Sequence, residues 1–207
     1  MTELPPPLLP LLPLFPLQTV LFPGGLLGLK VFEARYLDLM SDCLRGGRLF
    51  GVVALRRGSE AKVSDEAVDL ERVGTLAEII DVDSAQPGIL QVRCRGTQRF
   101  ELNAPHQQAD GLWLAQHRLL PDDEPVVPTE ALHSTVRGLV QAIASLKEQG
   151  TAPFLEPHRF DDAAWVANRW CEILPISQAA KQKLMELPDP IARLQLVDEY
   201  LRGKGVV

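Results

Sequence analysis

LPLFPLQTVLFPGGLLGLKVFEARY, residues 12–36, carries the turning points of the amino-terminal half. Val20, Leu21 and Phe22 form a short apolar run that reads as a strand, and Pro23-Gly24-Gly25 is a turn signal. Leu27, Leu29 and Val31 alternate with Gly28 and Lys30, the period of a second short strand. From residue 33 the period lengthens. Tyr36, Leu37, Met40 and Leu44 fall at helical spacing through residue 45, and Gly46-Gly47 supplies the stop.

Upstream, residues 1–13 are a Pro/Leu-rich arm that cannot be helical and reads as extended chain. Pro5, Pro6, Pro7, Pro10, Pro13 and Pro16 interrupt the apolar run, and no Lys or Arg occurs before Lys30. A spanning helix needs about 20 uninterrupted apolar residues and an export signal needs a basic start. The expectation is therefore a cytoplasmic chain without a membrane segment.

Downstream, LFGVVAL (Leu49–Leu55) has the length and composition of a strand buried on both faces. Residues 56–72 are polar and read as a long loop or hairpin arm. GTLAEIIDV (Gly74–Val82) is a further strand, and Pro87-Gly88 marks a turn. Leu90, Val92 and Cys94 then alternate with Gln91, Arg93 and Arg95, a half-buried strand with a basic outer face. Gly96 reads as a bulge before Arg99-Phe100-Glu101-Leu102 resumes extended structure, and residues 111–120 give one more strand. PDDEPVVP (Pro121–Pro128) reads as a linker, because the period changes from two to 3.6 after it. Thr129, Asp161 or Asp162, Ser177 and Asp189-Pro190 are candidate caps for four short helices. Strands first and helices afterwards give an α+β chain, with an arm over 1–13, a β-rich domain over 14–121 and a helical bundle over 128–207.

Composition narrows the function. A net charge of −6 argues against a basic nucleic-acid footprint. Cys43, Cys94 and Cys171 are odd in number and widely spaced, so neither a disulfide framework nor a CxxC knuckle is readable. The histidines, His106, His117, His133 and His158, form no i,i+4 pair, and no GxxxxGK[ST], HExxH or GxSxG motif occurs. No cofactor or metal is implied.

Four segments, taken in order, resemble the amino-terminal substrate-binding domain of Lon-type ATP-dependent proteases. They are Leu12–Tyr36, FGVVAL (Phe50–Leu55), GTLAEIIDV with GILQVRCRGTQRFEL, and LPISQAAKQKLMELPDPIARLQLV (Leu174–Val197). The strand pair ends in a G-x-x-R-F pattern at Gly96, Arg99 and Phe100, and FEARY (Phe32–Tyr36) looks most like the stand-alone proteins of that family. The resemblance spans about residues 12–201. It implies a PUA-like pseudo-β-barrel of mostly antiparallel strands followed by a small α-helical bundle, a part that engages substrates. Neither an ATPase module nor a Ser-Lys protease domain has room in these 207 residues, so the expectation is that this chain alone does not inherit proteolysis from the family.

The expectation for function is a non-enzymatic module that binds unfolded or extended polypeptide segments through apolar burial and hydrogen bonds to a strand edge. A variant of this reading makes it an adaptor for a separate ATPase or protease. The residues named for contact are Glu33, Arg35 and Tyr36 at the start of the first helix, with Arg99 and Phe100. The alternative is a PUA-like RNA-binding protein using Arg93, Arg95 and Arg99. A solvated strand face is the preferred reading of those arginines, since no aromatic ladder accompanies them and strand outer faces are often charged. Arg35 can instead lock the helix by pairing with an acid. FPGG reads more simply as a turn than as a ligand loop, and Ser177 with Lys181 as a cap and a surface lysine rather than a catalytic dyad. Trp113, Trp165 and Trp170 read as packing anchors, with Trp165 or Phe154 forming an apolar groove if exposed.

Overall fold

The computed structural model describes residues 9–57 and 68–207, so residues 1–8 of the arm and 58–67 of the polar loop lie outside the described residues. The strands are β1 (Leu9–Leu17), β2 (Leu26–Val31), β3 (Phe50–Arg57), β4 (Asp69–Leu70), β5 (Val73–Gln86), β6 (Ile89–Gln107) and β7 (Trp113–Leu119). The helices are α1 (Ala34–Gly46), α2 (His133–Glu148), α3 (Ala163–Ile173), α4 (Gln178–Glu186) and α5 (Pro190–Gly203). The chain is α+β, and its sheet is mostly antiparallel. It divides into two compact units. The first holds the described residues up to Pro23 together with Leu27–Pro121, and the second holds Gly24–Leu26 and Asp122–Val207.

In the first unit the sheet runs β1-β7-β6-β5-β3, and β3 pairs back to β1, giving an unevenly closed, barrel-like ring. The closing strand β1 starts at Leu9, inside the stretch read from sequence as an arm. Prolines normally exclude a strand from a sheet interior because they donate no ladder hydrogen bond. Here β1 avoids that cost by changing partner. Leu9–Leu14 pairs antiparallel with β7, and Leu14–Leu17 pairs parallel with β3, so only Leu14 faces a strand on both sides. Pro13 and Pro16 each face one neighbour.

The Val20–Phe22 run, expected as a strand, joins no ladder. It is nevertheless buried, and it crosses β6 at the Gly96 bulge. A Cβ on Gly96 would lie 2.3 Å from the Phe22 carbonyl oxygen. The Thr75 hydroxyl donates to the Leu21 carbonyl at 2.6 Å and fixes the crossing. The bulge is visible in the register: Thr75 faces Arg99, whereas Ala77 faces Gly96.

Two apolar clusters fill this unit. One joins Phe15, Leu29, Val31, Tyr36, Met40, Phe50 and Cys94, which buries α1 against the strands. The other joins Leu12, Leu14, Val53, Leu76, Phe100 and Leu102. Phe100 stands over two glycines. A Cβ on Gly51 would lie 2.6 Å from its Cζ, and one on Gly74 would lie 2.8 Å from it and 2.5 Å from the Val52 carbonyl oxygen.

In the second unit α3, α4 and α5 begin where a cap was legible. The Asp162 carboxylate accepts from Ala164 and Trp165 at the start of α3, Ser177 from Ala180 at α4, and Asp189 from Ile191 and Ala192 at α5. Thr129 precedes a short 3-10 turn, Glu130–Leu132, and makes no side-chain cap bond. α3 packs chiefly on α5. The PDDEPVVP segment is not a free linker. Asp123 pairs with buried Arg193 at 2.7 Å, and the Val126 carbonyl accepts from Ala163 at 2.8 Å.

Because the Gly74 contact is with backbone, it cannot relax cheaply. Gly74→Ala is expected to cost about 1–3 kcal/mol, and Phe100→Ala about 3–5 kcal/mol. Urea denaturation of both variants checks this, and unchanged midpoints would show that the ring tolerates expansion there.

Candidate functional site

The first turn of α1 carries three of the five residues expected to make contacts, and the structure does bring these three together. Glu33 occupies the N-cap position and pairs with Arg35 at 2.7 Å. The Arg35 guanidinium lies over the Tyr36 ring at 4.6 Å, and Nη1 donates to the Gly111 carbonyl at 2.7 Å. That last bond ties α1 to the β6–β7 turn. The helix lock expected of Arg35 is thus a backbone carbonyl, while its acid partner is local. Tyr36 is 4% exposed and stacks on Phe15 at 4.0 Å, so its ring serves the core.

Arg99 and Phe100 lie elsewhere. Phe100 is fully buried with its edge toward His117, and Arg99, 5% exposed, donates to the Pro121 carbonyl at 3.3 Å. Their side chains act in packing. The basic trio required by the RNA alternative is therefore split. Arg93 and Arg95 are exposed, but Arg95 pairs with Glu78 at 2.5 Å, Arg93 faces Asp81 across the ladder, and Arg99 points into the protein.

A cleft of about 340 Å³ opens beside α1, between β1 and the β6–β7 turn. Leu11, Leu12, Leu39, Leu49 and Leu112 give it an apolar lining. Asp38 and Asp42 from α1, Asp110 from the turn, and Arg35 and Arg48 give it charge. Arg35 is the residue that sequence reasoning and the cleft share. The aspartates were missed, having no motif to mark them.

β2 offers a different feature. Among the described strands it pairs only with β6, leaving its other edge open beyond the single Gly25–Phe154 bridge. Leu29 and Val31 point into the core; Gly28, Lys30 and Phe32 alternate outward. Phe32 is 61% exposed, more than any other large apolar side chain described in this unit. The signal was present in the sequence, since Phe32 falls out of phase with Leu27, Leu29 and Val31.

The remaining candidates are structural. Burial pushes the Cys43 thiol up to about 11, and Cys94 and Cys171 to about 12, so none is a thiolate near neutrality. Ser177 accepts its cap bond while the Lys181 ammonium donates to the Glu172 carbonyl at 2.9 Å, so the two form no dyad. Trp165 and Phe154 are buried in an aromatic cluster with His158 and Phe160, not exposed as a groove. No group of three metal-ligating side chains occurs among the described residues, and no described helix is long and apolar enough to cross a membrane.

The family model described as ATP-dependent protease La (LON) substrate-binding domain matches residues 11–203. The chain belongs to this Lon substrate-binding domain family. It is 28% identical over 204 residues to the Lon protease of Anaeromyxobacter dehalogenans, and 29% identical over 201 residues to Lon protease 2 of Myxococcus xanthus. Each alignment covers 96% of this chain and 23% of the relative, so the chain spans about a quarter of the length of these Lon proteases. The crystal structure of a Lon N-terminal domain protein from Xanthomonas campestris superposes with a TM-score of 0.72 at 31% identity, covering 93% of this chain and 99% of that one. The N-terminal domain of the Mycobacterium avium complex Lon protease shares the fold, with a TM-score of 0.59 at 14% identity over 92% of this chain and 97% of that one. The family assignment is to a substrate-binding domain, not to a catalytic one.

One Lon-domain side chain has a pH consequence. Glu172, paired with fully buried Arg169 at 2.7 Å, is pushed up by burial from an ordinary value near 4.5 to about 7, against the opposing pull of Arg169 and Lys181. Arg169 in turn donates to the Gly24 carbonyl of the PGG turn. A carboxyl that holds its proton more tightly when folded favours folding at low pH, and this contribution is lost as pH rises from about 4.5 through 7. Stability is expected to decline across that window, and Glu172→Gln to flatten the decline. Thermal melts of both proteins from pH 4.5 to 8 measure it; identical slopes would assign the decline to other groups.

Proposed function

We propose that the ring unit binds extended polypeptide by adding it as a strand to the open edge of β2, with Phe32 as the apolar anchor beside that edge. The observation that carries this reading is the one-sided pairing of β2, ending in an exposed phenylalanine, in a chain of a substrate-binding domain family. An open strand edge presents unpaired N–H and C=O groups in a fixed row, and these accept any sequence that can extend. Specificity then rests on alternate side chains, and the outward face of β2 supplies Gly28 and Lys30 before Phe32. Gly28 offers no obstruction, since a Cβ there would meet nothing within 4 Å.

A substrate role of this kind asks for affinity without a sequence code, which backbone bonding provides. The contacts are neutral, so binding is expected to survive physiological salt. Delivery of the bound segment to an ATPase or protease, whether in the same protein or a separate one, is the further part of the proposal that the family supports.

Phe32 is 61% exposed and belongs to neither apolar cluster, so it can be altered without opening the core. Phe32→Asp is expected to weaken binding of a fluorescent, permanently unfolded polypeptide by about ten- to a hundredfold, the loss of one buried aromatic side chain. Anisotropy titrations at low and physiological salt provide the measurement. Equal affinity of the variant, or collapse of wild-type binding with modest salt, would remove the β2 edge from the account.

A further inference from the structure

Resting on that reading, we infer that the cleft beside α1 selects among polypeptides, accepting segments in which an apolar side chain is followed or preceded by a lysine or arginine. The cleft is separate from the β2 ladder. It is formed by α1, β1 and the β6–β7 turn, and its volume of about 340 Å³ accommodates one or two side chains rather than a folded surface. Its apolar side includes Leu11, which is 51% exposed on a closing strand where Leu12, Leu14 and Leu17 are buried. An aliphatic side chain entering the cleft would cover it.

The charges decide the second half of the motif. Arg35 is already matched by Glu33 at 2.7 Å and fixed to Gly111, and Asp42 is matched by Arg45 at 2.6 Å. Among the described residues the Asp38 carboxylate has no hydrogen-bond or ion-pair partner, and the Asp110 carboxylate accepts from the Leu112 backbone N–H at 2.9 Å. Against these two unneutralised carboxylates stands one unpaired cation, Arg48. The rim therefore has an excess of one negative charge, which favours a cationic side chain and disfavours an acidic one.

The Arg35 side chain adds an independent demand. It is 9% exposed, it lines the cleft, and its Nε–H has no acceptor. Buried donors are ordinarily paired. The Nε–H itself is covered from solvent, so a peptide carbonyl reaches it only where binding shifts this wall of the cleft. Neither a free metal ion nor a phosphate meets all three demands, because the first brings no apolar group and the second meets an acidic rim.

The test uses the full chain and three labelled peptides that share an apolar core of leucines and differ in flanks of lysine, serine or glutamate. The lysine peptide is expected to bind about fivefold more tightly than the glutamate peptide, the scale of a few partly exposed charge pairs. Asp38→Asn with Asp110→Asn should erase most of that preference, and Arg48→Gln should widen it. A control pair outside the cleft, Asp83→Asn with Glu199→Gln, removes the same charge from exposed positions and should leave the preference unchanged. Equal affinity for the three peptides, or a control that acts as strongly as the cleft variants, overturns the inference while leaving polypeptide binding at β2 intact. Failure of the serine peptide and of the unfolded polypeptide to bind at all would instead overturn the proposed function together with the inference.

Discussion

The change of partner at Leu14 is the constraint on which the first unit depends. A strand interrupted by prolines closes the ring because each proline meets only one neighbouring strand, and Leu14 alone is shared between β7 and β3. The same strand feeds both apolar clusters, Leu12 and Leu14 into one and Phe15 and Leu17 into the other. Closure also requires that Gly51 and Gly74 carry no side chain beneath Phe100. Closure is uneven, because β1 has a single neighbour on either side of Leu14; β2 and the two-residue β4 hang on the ring with one partner strand each.

α1 converts that scaffold into a shaped surface. Its buried face, Tyr36, Leu39, Met40 and Cys43, seats it on the ring, and Arg35 ties its first turn to Gly111. With the helix so fixed, Asp38 and Asp42 border the cleft one turn apart. The second unit solves a different problem. Arg169 and Arg193 are almost fully buried, which is costly unless every charge is matched. Arg193 meets that condition through Asp123, Asn168 and the Leu184 and Leu187 carbonyls; Arg169 is held by the Gly24 carbonyl and by Glu172, whose carboxyl burial pushes up to about 7.

Much of this was readable from the chain. The strands β2, β3, β5, β6 and β7, the Gly96 bulge and the caps Asp162, Ser177 and Asp189 each leave a local mark: alternation, a continuous apolar run, a glycine, or a short polar residue before an apolar stripe. β1 was not readable, because its prolines argue locally against a strand and only the handover between two distant partners makes it one. Val20–Phe22 misled in the opposite way. It has strand composition, but its backbone is spent on a crossing that Thr75 and Gly96 create from 50 or more residues away. Of the five residues named for contact, Arg35 lines the cleft and Glu33 pairs with it, whereas Tyr36, Arg99 and Phe100 are buried. A recurring motif marks packing as readily as contact, and a single sequence cannot separate the two. Phe32 is marked only by its phase, out of step with Leu27, Leu29 and Val31, and Asp38 carries no motif at all; its exposure is a property of the folded surface.

Amide hydrogen exchange, followed by mass spectrometry with and without a saturating unfolded polypeptide, addresses the central claim most directly. Strand addition predicts slowed exchange across Leu26–Val31, where the outer edge gains a hydrogen-bonded partner, with little change in β5 or β7. Protection confined to other segments, with Leu26–Val31 exchanging as in the free protein, would contradict it.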